Sequence, residues 1–409
     1  MRRALIQDAV DELAPRLVQL LRELIWIPTV NPPGDGYGEF CALLKTVFGE
    51  LGYATEIVRV PEDRLEELAP QGRGLPRPNL LATLDSGRPG PTIHLNGHYD
   101  VVPVGNDWTR DPFGGEVADG WIYGRGAADM KSGLAAQLIA VEALRRTEWR
   151  GRIVQSAVPD EETVGVENAG MGFLVEQGRL EGADAVIITE PFGPDGVGIG
   201  HKGAIWGEIT IFGKQAHGSS PRLGVNAVEA MARYLARLDA ELRPRLDART
   251  TELGVTPPEP RSTLSFDTIR GGVATNIVPD RCTVTFNRRL LPGEDLDGAR
   301  RELLAPLEQV RHEYRELYAT EPTLVREEEP VVQAACRAVR ELGLEPRLLI
   351  SAGSDDQRFV VHRAGITNSL VYGPGTTALS HISDERIAIA DLVQGTKGLA
   401  LILDELLAV

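Results

Sequence analysis

Short aliphatic runs alternate with amphipathic stretches through the first half of the chain. Strands are predicted in ATEIVRV, NLLATLD, TIHLNGH, RIVQSAV and ADAVIITE, which are short and rich in β-branched residues. Helices are predicted up to about Ile25, over Glu39–Leu51 and over Met130–Arg146, where apolar residues recur at helical spacing. This alternation predicts an α/β fold with a mainly parallel sheet and helices on both of its faces.

The pattern changes after Pro194. The glycine-rich FGPDGVGIGHKG is a candidate hinge. A strand in AIWGEITIFG, a helix over Asn226–Leu242, strands in LSFDTIRG and CTVTFNRRLL, and a helix near Leu296–Tyr314 follow it. This order predicts a compact α+β insert of the split βαβ type at about 200–314.

The remainder of the chain most simply completes the first sheet. From residue 330 the alternation returns through LLIS and SLVYGPG to a helix that ends at Leu407. A chain of 409 residues exceeds the size at which a single core stops growing. We therefore expect a discontinuous main domain, 1–199 and 315–409, interrupted by the insert at 200–314.

Composition narrows the function classes. The formal net charge of −16 argues against a nucleic-acid partner, which requires clustered Lys and Arg. Cys41, Cys282 and Cys336 are widely spaced and lack a CxxC, so neither a disulfide framework nor a thiolate metal site is predicted. The N-terminus is amphipathic rather than a leader, and no stretch approaches a membrane span. We expect a cytoplasmic protein with no membrane partner.

Acidic and imidazole groups stand at the ends of predicted elements. In open α/β sheets, sites lie in the crevice beyond the carboxyl ends of the strands. Each group has a bland alternative: an aspartate before a helix is often an N-cap, and paired glutamates often form a solvated turn. Their joint occurrence favours one polar site. The residues are His98, Asp100, Asp129, Glu161, Glu162, Glu190 and His381.

The motifs occur in the order of a known family. GHYDVVPVG, WTRDPFGG, GWIYGRGAADMKSG, DEE, TEP, GKQAHGSSP, ATNIVPD, RLLPGE and the C-terminal SH together resemble the M20 metallopeptidases and deacylases. That group includes acetylornithine deacetylase, succinyl-diaminopimelate desuccinylase, aminoacylase-1 and glutamate carboxypeptidase. The resemblance implies that the main domain is catalytic and that the insert is a lid and dimerisation domain.

The resemblance also implies a dinuclear metal site. His98 and Glu190 would be terminal ligands of one ion, Glu162 and His381 of the other, and Asp129 would bridge them. Asp100 would hold the His98 ring through its other nitrogen, because residues two apart on a strand face the same side. Nitrogen and carboxylate ligands without cysteine favour Zn²⁺, with Co²⁺ or Mn²⁺ as alternatives. The family also implies a cis peptide bond after Asp129.

Two further residues acquire catalytic roles through the resemblance. Glu161 would be the general base, because neighbours on an extended chain point apart and Glu162 is the ligand. His217 would reach a neighbouring subunit's active site and stabilise the oxyanion, so activity would require a homodimer. A turn histidine that caps the following helix is the alternative for His217.

The resemblance implies substrate contacts at Asn276 and Arg289, and the backbone N–H groups of Gly373 and Gly375 are further candidate contacts. An arginine suits a carboxylate because its planar fork pairs with it bidentately. Arg288 is an open alternative to Arg289, and the glycines at 373 and 375 have a plain turn as an equal reading. SAGSDDQRF resembles the family's Ser-Asp-x-Arg-Phe segment with one residue more, so Asp355, Asp356 and Arg358 all remain open as substrate contacts.

The sequence thus predicts a dinuclear metal-dependent amidohydrolase. Metal-bound hydroxide would cleave the amide of an N-acyl-L-amino acid, with deacetylase or desuccinylase chemistry favoured. A dipeptidase or carboxypeptidase of the same family is the alternative, since the motifs do not cover the acyl pocket. A nucleotide-binding oxidoreductase is disfavoured because GRGAADMKSG lacks GxGxxG spacing. A metal-free binding protein is disfavoured because every ligand position is filled.

Overall fold

The computed structural model describes residues 1–163 and 168–409, which form two compact units. The first unit comprises Met1–Gly200, Val325–Ile350 and Asp355–Val409. The second comprises His201–Leu324 and Ser351–Ser354. The predicted insert at 200–314 begins at the same place, but its predicted end falls inside a strand of the second unit.

The helices and strands follow the predicted alternation. The α-helices are α1 Arg2–Ile25, α2 Tyr37–Glu50, α3 Leu65–Leu68, α4 Lys131–Leu144, α5 Met171–Glu176, α6 Ala227–Glu241, α7 Arg243–Asp247, α8 Leu296–Leu304, α9 Pro330–Glu341, α10 Gln357–His362 and α11 Ile389–Leu407. The strands are β1 Ala54–Arg59, β2 Pro78–Asp85, β3 Thr92–His98, β4 Glu116–Ala118, β5 Trp121–Tyr123, β6 Arg152–Val158, β7 Ala185–Ile188, β8 Gly196–His201, β9 Gly203–Phe212, β10 Gly254–Thr256, β11 Thr263–Gly271, β12 Arg281–Leu290, β13 His312–Thr320, β14 Thr323–Leu324, β15 Arg347–Ser351, β16 Ser369–Val371 and β17 Arg386–Ala388. The strands and helices predicted before Pro194 are confirmed. No helix within these described ranges is long and apolar enough to cross a membrane.

The large sheet of the first unit is parallel at its centre. Its strands lie in the order β1-β2-β6-β3-β7-β16-β8-β15. β6, β3, β7 and β16 run parallel to one another. Antiparallel strands flank this centre, with β1 and β2 on one side and β8 on the other. The carboxyl ends of β6, β3 and β7 therefore meet at one edge, where α/β sheets place their sites.

Helices cover both faces of this sheet, as predicted. On one face, α3, α5 and α10 share a core with Leu81, Val186 and Val371 of the strands. On the other face, α4 lies against β3 and contacts α1 and α11, and α9 packs on α11. α4 is buried at every position except Glu142, which explains why its sequence is apolar all round.

The second unit is a four-stranded antiparallel sheet with helices on one face. The strand order is β11-β12-β9-β13. Ile209, Val284 and Leu303 belong to the core between this sheet and α6, α7 and α8. Polar side chains, including Thr210 and Thr283, occupy the opposite face. A period of two along each strand gives this apolar and polar separation.

The helix predicted near Leu296–Tyr314 is wrong over its second half. α8 ends at Leu304, and β13 begins at His312 and pairs with β9. Pro306 explains the end of the helix, because proline lacks an N–H donor and clashes with the preceding turn.

The candidate hinge FGPDGVGIGHKG is also a strand over half its length. Gly196–His201 forms β8, and all six residues are buried. A Cβ at Gly196 would lie 2.0 Å from the carbonyl oxygen of Phe192, and one at Gly198 would lie 2.8 Å from Cβ of Val371. These glycines permit close packing and do not form a hinge.

Candidate metal centre

Parallel strands bring the predicted ligands to one edge of the large sheet. His98 is the last residue of β3, and Glu190 follows β7 by two residues. Asn96 of β3 pairs with Ile188 of β7, so His98 and Glu190 lie at the same level two residues further along. β6 ends beside His98 and leads into the turn that carries Glu162.

Two groups of ligand atoms share one carboxylate. His98 Nε2 lies 3.1 Å from Asp129 Oδ1 and 3.4 Å from Glu190 Oε1. His381 Nε2 lies 2.9 Å from Glu162 Oε2 and 3.4 Å from Asp129 Oδ2. Within each group the ligand atoms all lie within 4.8 Å of one another. The structure thus brings together all five predicted ligands, with the two oxygens of Asp129 directed at different histidines.

The electrostatics of the cluster suit a cation. Burial lowers the pKa of His98, but the surrounding carboxylates, Glu190 foremost, outweigh it and raise that pKa well above its ordinary value. Hydrogen bonds that the His381 ring donates to the carboxylates of Asp129 and Glu162 raise the pKa of His381 to about 11. Rings that retain a proton so strongly mark points of excess negative charge, which divalent ions would neutralise. The donor set has nitrogen and oxygen but no sulfur, which suits Zn²⁺ and tolerates Co²⁺ or Mn²⁺.

Asp100 contacts the backbone of Glu161 and Glu162 as well as the His98 ring. His98 Nδ1 lies 2.9 Å from the backbone carbonyl oxygen of Asp100, whereas its distance to the carboxylate is 3.5 Å. The carboxylate accepts hydrogen bonds from the backbone N–H of Glu161 at 3.2 Å and of Glu162 at 3.1 Å. The expected partner of the ring was the Asp100 carboxylate. In the structure the backbone takes most of that role, because Asp100 lies beyond the end of β3 and its side chain reaches the neighbouring turn.

Glu161 lies beside the ligand groups without belonging to either. The described carboxylate clusters include Glu162 but not Glu161. Burial raises the pKa of Glu161 well above its ordinary value, His98 opposes this effect, and Glu190 and Glu162 add to it. A carboxyl group with a pKa raised by burial holds a proton more readily than a free one, as suits a group that accepts and returns a proton.

A residue absent from the sequence prediction, Glu385, holds the loop that carries Asp129. The peptide bond Asp129–Met130 is cis, which confirms the expectation from the family resemblance. Glu385 Oε2 accepts a hydrogen bond from Arg125 at 2.5 Å, and both side chains are at least 97% buried. Its Oε1 accepts from the backbone N–H of Gly126 (3.0 Å), Ala128 (2.9 Å) and Asp129 (3.1 Å). The only sequence signal for Glu385 is its position four residues after His381.

In the second unit, His217 and Asn276 are neighbours. Both are exposed, and His217 forms a β-bridge with Ile277. The backbone N–H of Ser219 donates to His217 Nδ1 at 3.2 Å. Since Nδ1 accepts, the ring proton belongs on Nε2, which is then available as a donor.

The structure separates the two candidate arginines. Arg288 is fully buried, and its guanidinium is paired with Glu294 at 2.5 Å. Arg289 donates through Nε to Asn287 Oδ1 at 3.1 Å and lies over the ring of Trp206. No ion pair of Arg289 occurs among the residues that the structure describes, whereas Arg288 is committed to the core of the second unit.

Gly373 and Gly375 have a structural reason to be glycine. A Cβ at Gly373 would lie 2.3 Å from the carbonyl oxygen of Thr189, directly before the ligand Glu190. Gly375 has φ +89°, a conformation that favours glycine. Their loop therefore packs closely against the strand end that carries Glu190, and a substrate contact at either residue stays a prediction.

The acidic pair in SAGSDDQRF differs in its partners. Asp356 accepts hydrogen bonds from Asn96 at 2.9 Å and from Asn168 at 3.4 Å, and it is thereby fixed within the first unit. Asp355 accepts from the backbone N–H of Gln357 through Oδ1, while its buried Oδ2 has no hydrogen-bond partner among the residues that the structure describes. Of the two carboxylates, Asp355 retains an open acceptor.

Comparison with known proteins agrees with this geometry. The model of Peptidase family M20/M25/M40 matches residues 94–405. A succinyl-diaminopimelate desuccinylase of Methylobacterium radiotolerans is 32% identical over 421 residues, covering 96% of this chain and 98% of that enzyme. An M20 family metallo-carboxypeptidase of Sulfolobus solfataricus has a TM-score of 0.74 at 21% identity, covering 95% of this chain and 98% of the other. A dinuclear metal-binding M20 peptidase of Bacillus subtilis has a TM-score of 0.67 at 17% identity, covering 97% and 99%.

The family match extends over more than half of the chain, and the desuccinylase match extends over nearly all of it. The resemblance inferred from the motifs is therefore confirmed, and the mixed α/β fold agrees with that of the M20 structures. The chain belongs to peptidase family M20/M25/M40 and is a metal-dependent hydrolase that acts on amide bonds.

Proposed function

We propose that this enzyme hydrolyses the amide bond of an N-acyl-L-amino acid at a dinuclear metal site. The observation that carries the proposal is the pair of ligand groups, His98–Asp129–Glu190 and Asp129–Glu162–His381, which share one carboxylate. Two divalent ions held there would polarise the acyl carbonyl and lower the pKa of water towards about 7. Zn²⁺ is the favoured metal.

The proton transfers are assigned to Glu161. Its neighbour Glu162 faces His381, so the two side chains of the pair have different partners. Glu161 takes the proton from the attacking water and later delivers it to the leaving amine. Asp100 supports this step because its carboxylate holds the backbone N–H groups of both glutamates.

The second unit supplies the groups that recognise the substrate. Arg289 binds the substrate carboxylate. Its guanidinium forms no ion pair with a described residue, whereas the guanidinium of Arg288 is paired with Glu294. Asn276 contacts the carbonyl. His217 donates from Nε2 to the carbonyl oxygen as negative charge develops on it, and it comes from the partner subunit. The backbone N–H groups of Gly373 and Gly375 are further proposed substrate contacts.

An N-succinyl or N-acetyl amino acid is the favoured substrate. The named relatives at about one-third identity over almost the whole chain are succinyl-diaminopimelate desuccinylases. A dipeptide or the C-terminal bond of a peptide is the second candidate, because a similar solved structure is a metallo-carboxypeptidase. The open carboxylate of Asp355 would suit a substrate that carries an additional ammonium group.

The second unit also mediates a homodimer in this proposal. Exposed apolar side chains gather around β11 and the start of α6, with Val273 77% and Ile269 57% exposed. We take these exposed apolar side chains as the candidate interaction surface. The substitution Val273→Asp should yield monomers in light scattering and abolish activity. Leu317→Asp on β13, the opposite edge of the sheet, is the matched control and should leave the dimer intact.

A reducing compartment agrees with the state of the cysteines. Cys41, Cys282 and Cys336 are all buried free thiols. Proteins of the cytosol retain such thiols because glutathione and thioredoxin keep them reduced. We therefore place the enzyme in the cytoplasm.

The decisive experiment measures hydrolysis with defined metal content. The chelated enzyme is assayed on N-acetyl-L-ornithine, N-succinyl-L,L-diaminopimelate and a simple dipeptide, before and after addition of Zn²⁺, Co²⁺ or Mn²⁺. Cleavage of an N-acyl amino acid that depends on two bound ions supports the proposal. Cleavage of the dipeptide alone would shift the assignment to the peptidase branch, and activity that survives complete chelation would refute the dinuclear site.

A further inference from the structure

A buried amide joins two carboxylates behind the turn that carries Glu161 and Glu162. The side-chain Nδ2 of Asn31 donates to Asp100 Oδ2 and to Asp160 Oδ1, both at 2.9 Å. Asn31, Asp100 and Asp160 are each at most 2% exposed. We call these three residues the amide clamp.

The two aspartates of the amide clamp are attached to the turn in different ways. Asp100 accepts the backbone N–H groups of Glu161 and Glu162. Asp160 precedes Glu161 directly and has φ +62°, which is uncommon for a residue other than glycine. The clamp therefore acts on the turn both through its N–H groups and through the residue that starts it.

Besides Asn31, Asp160 has two strong side-chain partners, whereas Asp100 forms no described ion pair with an arginine or lysine. Arg77 donates to Asp160 Oδ2 at 2.6 Å with both side chains 99% buried, and the hydroxyl of Tyr37 donates to Oδ1 at 2.9 Å. Asp100 receives no arginine or lysine among the described residues. Because the Asn31 amide donates to both carboxylates, the well-fixed side chain of Asp160 helps to fix the position of Asp100.

We propose that Asn31 is a positioning residue that sets the placement of Glu161 and Glu162 by holding both carboxylates of the amide clamp. An asparagine amide suits this role because one NH₂ group offers two donors and carries no charge. An aspartate would add a third carboxylate, and an alanine would remove one hydrogen-bond donor from each of two buried carboxylates and the link between them. The inference rests on the proposed ligand set, in which Glu162 binds metal.

The effect of removing the amide follows from the behaviour of groups that orient metal ligands. Loss of such a partner typically costs about 10–100-fold in metal affinity or activity. For Asn31→Ala we expect weaker binding of one of two zinc ions, because Glu162 belongs to only one ligand group. We expect kcat to fall about 10–100-fold while KM stays close to the wild-type value, since Asn31 is buried away from substrate.

The test compares Asn31→Ala with Asn79→Ala in the full chain. Asn79 is equally buried, and its amide donates to two backbone carbonyl oxygens, those of Val58 and Ala169. Each variant is chelated and titrated with Zn²⁺ by calorimetry, and its Tm, kcat and KM are measured. Both variants should lose Tm, but only Asn31→Ala should lose zinc affinity and kcat.

The possible results separate the role of Asn31 from the proposed function. An Asn31→Ala variant that loses Tm like its control but keeps both zinc affinities and kcat overturns the clamp alone. A wild-type chain that binds none of Zn²⁺, Co²⁺ and Mn²⁺ overturns the proposed function and the clamp with it. If Asn31→Ala does not fold, Asn31→Ser keeps one donor and must show a smaller loss of the same two quantities. Unchanged values in a folded Asn31→Ser variant would then refute the role of Asn31.

Discussion

Replacing Glu385 by glutamine should destabilise the first unit and weaken metal binding together. Glu385 Oε2 is paired with Arg125 at 2.5 Å, with side-chain exposures of 0% and 3%. Its Oε1 accepts three backbone N–H groups from the loop that ends at Asp129. The substitution Glu385→Gln keeps the size of the side chain and one carbonyl oxygen. It places an NH₂ group against the guanidinium, where no acceptor remains.

The magnitude follows from the buried charge. Removing one partner of a buried ion pair costs about 3–5 kcal/mol, since the other charge stays buried without compensation. The backbone N–H groups can still donate to the glutamine oxygen, but bonds to a neutral acceptor contribute less, about 0.5–1.5 kcal/mol each against 1.5–3 for a charged one. The expected loss is therefore at least about 3 kcal/mol, a large share of a typical stability of 5–15 kcal/mol. A displaced Asp129 should also lower zinc affinity about 10–100-fold.

The assay is urea unfolding of the chelated enzyme, followed by calorimetric zinc titration of the folded variant. Asp384→Asn is the control, because this adjacent carboxylate accepts from Thr109 at the surface and asparagine tolerates its φ of +52°. The control should change both quantities little. If Glu385→Gln lost no more than about 1 kcal/mol, the range of an exposed pair, and kept its zinc affinity, the assigned role of Glu385 would be wrong.

Three other predictions test the site and the core. Glu161→Gln should lower kcat about 10²–10⁴-fold as expected for loss of a general base, with two metal ions still bound in a titration; loss of an ion would instead make Glu161 a ligand. Arg289→Lys should raise KM for anionic substrates with little change in stability, whereas Arg288→Lys should mainly lower Tm, so equal effects on KM would refute the distinction between them. Burial lowers the pKa of His94 from 6.5 to about 4. The neutral ring therefore contributes stability that is fully present above pH 6.5. About 3 kcal/mol of the free energy of unfolding is lost as the pH falls to about 4. In urea unfolding between pH 8 and pH 4, His94→Gln should show a smaller loss than wild type, and equal losses would contradict the assignment.

Local sequence patterns explain why the predicted ligands His98 and Glu190 lie together at one edge of the sheet. The apolar run before His98 and the one before Glu190 indicate buried strands, and such strands in an α/β fold run parallel in the centre of a sheet. Their carboxyl ends then meet at one edge. The structure places these two residues level with each other through the β3–β7 register.

Residues that act through long-range loop contacts escaped prediction. Asn31 lies in the turn-rich segment NPPGDG, and its partner Asp160 is 129 positions away. Glu385 contacts a loop about 260 positions earlier. Neither residue belongs to a periodic pattern, so nothing local separates it from a solvated turn residue. The strand at 312–320 was not predicted because the mixed apolar and polar residues after α8 also fit a helical pattern. Only Pro306 indicates that the helix ends before them.

The two ligand groups are held by different parts of the fold. His98 and Glu190 end central strands and are at most 7% exposed, so the sheet itself fixes their separation. The His381 side chain is 50% exposed and follows no strand. Its segment is fastened by Glu385 and by the pairing of β17 with β5. A metal ion at the second group would thus connect residues 219 positions apart. Loop-closure cost rises only slowly with length, and Glu385 and β17 already order the segment. Metal binding at the proposed second group would therefore complete a largely formed site.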